Sequence, residues 1–293
     1  MTDLTWLFNE LHPGKYNIEY FEKKFNTDFS GKSYIGYIAF AENGEPAAYY
    51  GVFPCILYNR HGEILACQSG DTITHKRHQR KGIFVQFAQK TYDLAQKEGI
   101  KLVFGFPNDN SAPGFYNKLG WEKSSQFLHL EFSVNSFNLY ALSNKIKLLS
   151  GLYKRYFNSR VLNIQSKEID IYNNYDDDVL RTRKDKAYIL YKLSYSNSYL
   201  VEIDGFKFWF KLDDGLLIGA VSNFEPNQKV LFKEANIKLA KFFGVKKIRI
   251  ITTRSNFEFD AYSDFCETQE IPISNGFLKL DSAFNLVIFL FQH

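Results

Sequence analysis

Two rhythms of apolar and polar positions alternate along the first half of the chain. Residues 34–40 and 46–53 are rich in aromatic and β-prone side chains. Asn43-Gly44 between them is a hairpin signal, so two antiparallel strands are expected. A third strand is expected near 55–59 and, past His61-Gly62, a fourth across 63–74. Over 83–97 the spacing turns helical: Ile83, Phe84, Phe87, Leu94 and Ala95 are apolar, Tyr92 less regularly, with Gln, Lys and Asp between. Gly99 is the expected helix stop, and Leu102 to Phe106 a short apolar strand.

The second half repeats that order less clearly. Strands are expected at 198–203, 206–211 and 215–222, with turns at Asp204-Gly205 and Asp213-Asp214-Gly215, then a helix near 228–243 and a strand at 248–252. Gly99-Ile100-Lys101 is echoed by Gly244-Val245-Lys246, and an asparagine follows each strand, Asn108 and Asn256. The expected fold is therefore α+β, one unit used twice, each a mixed central sheet flanked by helices; two unrelated α+β pieces would show the same order of elements. The expected boundaries are 1–136, a connection over 137–186, and 187–293. In that connection 137–157 reads as helical. The stretch 163–186 reads as a solvated linker because of Asn173, Asn174, Asp176, Asp177 and Asp178.

Composition narrows the class. Hydrophobic residues make up 45% of 293 and charged residues 23%, a globular mix rather than a disordered one. The net charge of +4 does not by itself imply a nucleic-acid or membrane partner, and neither is expected. Cys55, Cys67 and Cys266 have neither C-x-x-C spacing nor an even count, so no disulfide framework or cysteine zinc site is expected. The start carries Asp3 where a signal peptide needs basic residues, and apolar runs such as 286–291 are far shorter than the ~20 residues that cross a bilayer. A cytoplasmic protein is the expectation.

The most informative segment is Gly70-Asp71-Thr72-Ile73-Thr74-His75-Lys76-Arg77-His78-Gln79-Arg80-Lys81-Gly82-Ile83-Phe84. A strand ends near Thr74, a basic loop follows, and a helix opens at Gly82 or Ile83. The first amides of a helix lack intrahelical partners and sit at the positive end of its dipole, so such a junction cradles phosphate. Gly82 lets the main chain approach an anion, and Lys76, Arg77, Arg80 and Lys81 add countercharge. His75 and His78 form H-x-x-H, but in a loop and without a third ligand, so no metal is expected. G-x-S-x-G, G-x-G-x-x-G and G-x-x-x-x-G-K-S/T are absent.

Gln79-x-x-Gly82 resembles the Q/R-x-x-G-x-G/A motif of the GNAT acetyltransferase superfamily, and Thr74 to Phe84 looks like its T-H-P-x-x-R-G-K-G-I-F variant. Phe84 replaces the final small residue, which implies a repacked helix start, and Arg80 stands where glycine is frequent. Downstream, Phe106 to Trp121 resembles the family's P-N-x-x-S-x-x-x-F-x-x-L-G-W motif, with Ser111 expected to cap a short helix ending at Gly120. Phe25-Asn26, Gly31-Lys32-Ser33 and Ala48 to Pro54 are similar to the opening of tandem GNAT proteins. The second copy looks degenerate, since Asn223 to Gln228 before its helix offers no glycine and an acid, Glu225.

The resemblance implies an acetyl-CoA-dependent N-acetyltransferase, with acetyl-CoA as co-substrate and the amine of a small molecule as acceptor, an amino sugar of surface-polysaccharide synthesis being preferred. It implies that Thr72, Ile73 and Thr74 hold the pantetheine arm through their backbone. Gln79, Arg80, Lys81, Gly82, Ile83 and Phe84 would hold the phosphates, and Asn108 and Ser111 would line the thiol side. Tyr116 aligns with the tyrosine that donates a proton to the departing thiolate. Gln68 stands where a glutamate is common, leaving Asp71, His75 or a relaying water as the base. Two other readings stay open: a tandem-GNAT aminoacyltransferase using aminoacyl-tRNA, and a catalytically inactive acyl-CoA-binding module.

Overall fold

The computed structural model describes residues 1–171, 177–222 and 224–281. Two helices not anticipated from the sequence open the chain, α1 (Thr2–Leu11) and α2 (Ile18–Phe25). Leu4, Leu7 and Phe8 of α1 and Phe21 and Phe25 of α2 are buried at three- and four-residue spacing, and the Asn17 side chain caps α2 at the Tyr20 amide. Then come β1 (Ile35–Phe40), β2 (Pro46–Asn59), β3 (Gly62–Thr74), α3 (Ile83–Lys97), β4 (Leu102–Gly105), α4 (Ala112–Lys118) and β5 (Glu122–Ser133). Helices α5 (Leu139–Lys145) and α6 (Lys147–Ile164) and the short β6 (Arg181–Thr182) follow. The chain continues through α7 (Lys186–Tyr195), β7 (Ser198–Ile203), β8 (Phe206–Leu212), β9 (Leu216–Val221), α8 (Lys229–Phe243), β10 (Lys247–Thr252), α9 (Phe257–Tyr262) and β11 (Glu267–Lys279).

The expected second and third strands are one. β2 runs unbroken through Pro54 because β3 pairs along its whole length on one side. On the other side β1 ends opposite Val52 and β6 begins opposite Leu57. Pro54 falls in that gap, where a missing N–H need not break a ladder.

Two compact units emerge, and each closes with a strand from the other half of the sequence. Within the described residues the first holds 1–126, 177–183 and 273–281, and the second 127–171, 184–222 and 224–272. In the first, β1, β2 and β3 are antiparallel neighbours, β3 and β4 are parallel, and β11 runs antiparallel to β4. In the second, β7, β8 and β9 are antiparallel, β9 and β10 parallel, and β5 antiparallel to β10. The patterns are identical, and in each the parallel pair is joined through one fifteen-residue helix, α3 or α8. By chain order β5 should finish the first sheet and β11 the second; the structure exchanges them.

The expected solvated linker is corrected. Residues 172–176, including Asn173, Asn174 and Asp176, lie outside the described residues. Over 177–183 the chain is part of the first unit: β6 pairs with Leu57 and Tyr58, and Val179, Leu180 and Arg181 are buried. The acids that suggested solvation are ion-paired instead. Asp177 grips the Arg181 guanidinium with both oxygens at 2.5 and 2.9 Å, and Asp178 meets Arg60 and His61 at 2.7 Å each. The expected helix over 137–157 is two helices, broken at Ile146 and ending at Ile164.

Candidate functional site

The loop between β3 and α3 is built around two left-handed residues. Gly82, the residue before the helix, has φ +75°, and Arg80 has φ +63°. No protein atom lies within 4 Å of where a Gly82 Cβ would project, so the glycine answers to the backbone, and the space beside it is open. The first intrahelical bond runs from the Gln86 amide to the Gly82 carbonyl at 3.2 Å, and no side chain caps the helix. The amides of Ile83, Phe84 and Val85 have no intrahelical acceptor within reach and stand at the positive end of a fifteen-residue helix. Gln79, Arg80 and Lys81 are exposed around them, and Gln79 Nε2 donates to the Thr74 carbonyl at 3.3 Å. At His78, desolvation and the Lys81 charge hold the imidazole below its usual value, favouring the neutral ring.

Beside this cradle the sheet splits. Parallel pairing joins Ala66, Cys67 and Gln68 to Leu102, Val103 and Phe104 and then stops, although β3 continues to Thr74. At Gly105 the strands are still close, since a Cβ there would stand 3.3 Å from the Ser69 carbonyl oxygen. Past this point β4 ends, leaving Gly70–Thr74 with β2 as strand partner on one flank. A bulge deepens the divergence: Gly51 pairs with Gly70 and Tyr49 with Ile73, so Asp71 and Thr72 together oppose Tyr50. Asp71 takes φ +52° there and is held by Lys24 of α2 at 2.5 Å.

Below the split lies a buried hydroxyl chain that the sequence did not disclose. Tyr50 Oη is 2.7 Å from Ser69 Oγ and 2.6 Å from Tyr92 Oη. Burial pushes both tyrosines well above their ordinary range, so they stay protonated. The pairing partners sit on β2, β3 and α3, which fixes the helix against the strand that splits. Alternation places Tyr50 on the α3 face; no motif marks it.

The second motif also forms a helix entrance. Asn108 Oδ1 accepts from the amides of Asn110 and Ser111 at 3.1 Å each, tying a turn that delivers α4. Ser111 does not cap that helix as expected. Its own backbone is already helical (φ −96°, ψ −26°), and its hydroxyl turns back to accept from the Asn108 amide at 3.1 Å. Phe84, the departure from a small residue, packs between the helices. Its ring is 5.1 Å from Phe115 and 5.7 Å from Tyr50, and it fills the space over Gly114, where a Cβ would meet it at 2.7 Å.

The candidate bases and acid are placed as follows. His75 is buried and stacked on Trp6 at 6.2 Å, and its Nδ1 accepts from the Arg77 amide at 3.3 Å, so it supports the loop. Its other ring nitrogen lies 4.0 Å from Glu10. Tyr116 is half-buried on α4, with its hydroxyl 2.8 Å from where a Gly276 Cβ would stand on β11. Thr72 and Thr74 are half-buried and Ile73 is buried at the split. The structure thus brings 72–74, 79–84, 108 and 111 to two neighbouring strand ends, while Tyr116 faces the β11 flank of β4.

A GNAT acetyltransferase domain model matches residues 9–124, which spans the cradle, the split and the second motif. Over these residues the chain is similar to the GNAT acetyltransferases. Solved structures share the fold over nearly the whole chain. A GCN5-related N-acetyltransferase from Anabaena variabilis has TM-score 0.56 at 10% identity, covering 96% of this chain and 70% of that one. One from Kribbella flavida has TM-score 0.52 at 9% identity, covering 96% and 70%. N-myristoyltransferase of Saccharomyces cerevisiae with bound myristoyl-CoA has TM-score 0.53 at 12% identity, covering 94% and 78%. No curated protein sequence matches the chain.

In the second unit the turn at the corresponding place is capped by an acid. Glu225 and Gln228 form a reciprocal capping box on the short 3-10 turn Pro226–Gln228 that leads into α8. The Glu225 carboxylate thus accepts from the Gln228 amide of that turn, while no side chain caps α8 itself. Asn223 lies outside the described residues. Among the described residues no group of His, Cys, Asp and Glu is arranged to hold a metal ion.

Proposed function

We propose that the first unit binds acetyl-CoA and transfers its acetyl group to the amine of a small molecule. One observation carries the reading: a split between parallel strands opens beside a helix N-terminus whose cradle is set by left-handed Arg80 and Gly82. Open space beside Gly82 and uncapped first-turn amides suit a diphosphate; the unpaired flank of Gly70–Thr74 suits an amide-bearing arm, which adds to a sheet edge by main-chain hydrogen bonds. Gln79, Arg80, Lys81, Gly82, Ile83 and Phe84 take the phosphates, Thr72, Ile73 and Thr74 the arm, and Asn108 and Ser111 the thiol side.

The thioester supplies an activated acyl group, so the chain needs no nucleophile of its own. Its task is to hold amine and carbonyl in line and to manage two protons, one leaving the amine and one reaching the thiolate. Tyr116 is the proposed proton donor. Asp71 is engaged by Lys24 and His75 by its loop, which favours a water relay as acceptor of the amine proton. Those engagements are also what favours the second reading, an acyl-CoA-binding module without turnover. The paired units support the tandem type, and by that resemblance we propose an amino sugar as acceptor.

Calorimetry with acetyl-CoA tests the binding step: heat at micromolar cofactor is expected, and none at millimolar concentration would reject the site. Thiol release across amino sugars, polyamines and peptides then separates enzyme from module. A chain that binds acetyl-CoA and releases no thiol with any acceptor would favour the module.

A further inference from the structure

The positive charge of this chain is not spread evenly. From Phe132 to Lys167, 36 residues hold six cations and no carboxylate. The other residues carry 30 Lys and Arg against 32 Asp and Glu, a net charge of −2, so the whole positive balance resides in this one segment. The same segment holds six of the fifteen large hydrophobic side chains exposed among the described residues: Phe137, Leu142, Ile146, Leu148, Leu152 and Leu162. All belong to the second unit.

Helix α6 carries three of them, Leu148, Leu152 and Leu162. Tyr153, Phe157 and Val161 are buried on the core of that unit. On the opposite face Leu148, Leu152, Arg155, Ser159 and Leu162 recur at steps of four and three, one stripe about 21 Å long at 1.5 Å per residue. Leu148 is 83% exposed and Leu162 72%. Lys145, Lys154 and Arg155 are exposed among them. A nucleic acid would neutralise the cations but leave the leucines in water. A partner protein would need a groove matched to a long, shallow row. An anionic lipid surface satisfies both features without shape matching: leucines enter the boundary between headgroups and acyl chains, and cations meet lipid phosphates.

We propose that this face of the second unit lies against an anionic membrane surface. The expectation of no membrane partner rested on the net charge of the whole chain and the lack of a spanning segment. Among the described residues no helix is long and apolar enough to cross a membrane, but a helix lying in the plane of the interface need not be.

The test is co-sedimentation of the full chain with phosphatidylcholine vesicles, with and without phosphatidylglycerol. Binding to the anionic vesicles should exceed binding to the neutral ones by at least about tenfold and fall as salt rises to about 0.5 M. Leu148→Glu/Leu152→Glu and Lys154→Glu/Arg155→Glu should each lower it by about tenfold with unchanged thermal melts, since all four side chains are exposed. If a glutamate pair disturbs the melt, Leu148→Ser/Leu152→Ser replaces it. No binding to either vesicle, equal binding to both, or full binding by the variants overturns the proposal. So does a dimer in sedimentation velocity that the leucine variants dissociate, which would assign the face to a second copy. RNA binding that depends on the cations and ignores the leucines overturns it too.

Discussion

Replacing Gly114 by alanine tests how the first unit accommodates Phe84. In an ordinary helix the change would gain about 0.5–1 kcal/mol, because glycine loses more backbone freedom on folding. Here the new methyl would stand 2.7 Å from Phe84 Cε1 and 3.3 Å from Cδ1. Carbon atoms prefer about 3.5–4.0 Å, so the ring or α4 must move, at about 1–3 kcal/mol for an overfilled contact. The balance is a net loss of about 0.5–2 kcal/mol where propensity alone predicts a gain. Phe84→Ala removes a half-buried ring and should cost about 2–3 kcal/mol, less than a fully buried phenylalanine.

The pair is the decisive measurement. With Phe84 gone the Gly114→Ala methyl has room, so the double variant should be more stable than the sum of the singles by about 1–3 kcal/mol. Urea unfolding of the four proteins supplies the cycle, with equal m-values confirming that the unfolded states match. Acetyl-CoA calorimetry on the same proteins reads the site: Phe84 is the second residue of α3, so Gly114→Ala should weaken binding and Phe84→Ala should restore part of it. An alanine variant as stable as the parent, or strict additivity, would refute the packing argument.

Three further outcomes are expected. Gly82→Glu should abolish acetyl-CoA binding, and Gly82→Ala should cost about 1–2 kcal/mol from φ +75° alone; normal binding by the glutamate variant in calorimetry would remove the cradle from the site. Tyr116→Phe should lower kcat more than it changes KM, and an unchanged kcat would strike Tyr116 from the mechanism. Lys184 donates to the Gly219 carbonyl at 2.6 Å while burial, opposed by the Glu258 charge, lowers its amine to about 8. Between that value and the unfolded one, about 10.4, the unfolded chain holds the proton and the folded chain does not, so stability rises with pH across the window. Urea unfolding should show Lys184→Met losing about 1–2 kcal/mol of that rise between pH 8 and 9.5; parallel profiles would reject it.

Local signals carried the parts of the fold that local physics decides. The rhythm of 83–97, the left-handed stop at Gly99 and the turn at Asn43-Gly44 each fall where the residues placed them. Leu4, Leu7 and Phe8 also had helical spacing, yet ten residues with a single interrupted stripe gave too little to separate α1 from a loop. Pro54 misled because a proline reads as a strand break unless the partner on each flank is known. Asp177 and Asp178 misled for a related reason: a run of acids looks solvated until the basic side chains it faces come into view, and Arg181, Arg60 and His61 supply them. The site divides in the same way. Gly82 and the basic loop were legible because one contiguous segment forms the cradle, whereas the Tyr50–Ser69–Tyr92 chain draws on β2, β3 and α3.

Exchange of the closing strands is the step no periodicity could reach. β5 and β11 each follow the helix that should precede the last strand of their own sheet. What the exchange implies is thermodynamic. Each unit lacks a strand unless residues from the far half of the chain are in place: 276–279 beside β4 in the first, 128–133 beside β10 in the second. A fragment ending near residue 136 would leave one flank of β4 unpaired, and with it Gly276, against which the Tyr116 hydroxyl rests. The second half of the chain is therefore needed by the first unit whatever it binds itself, because it ends in the strand that completes that sheet.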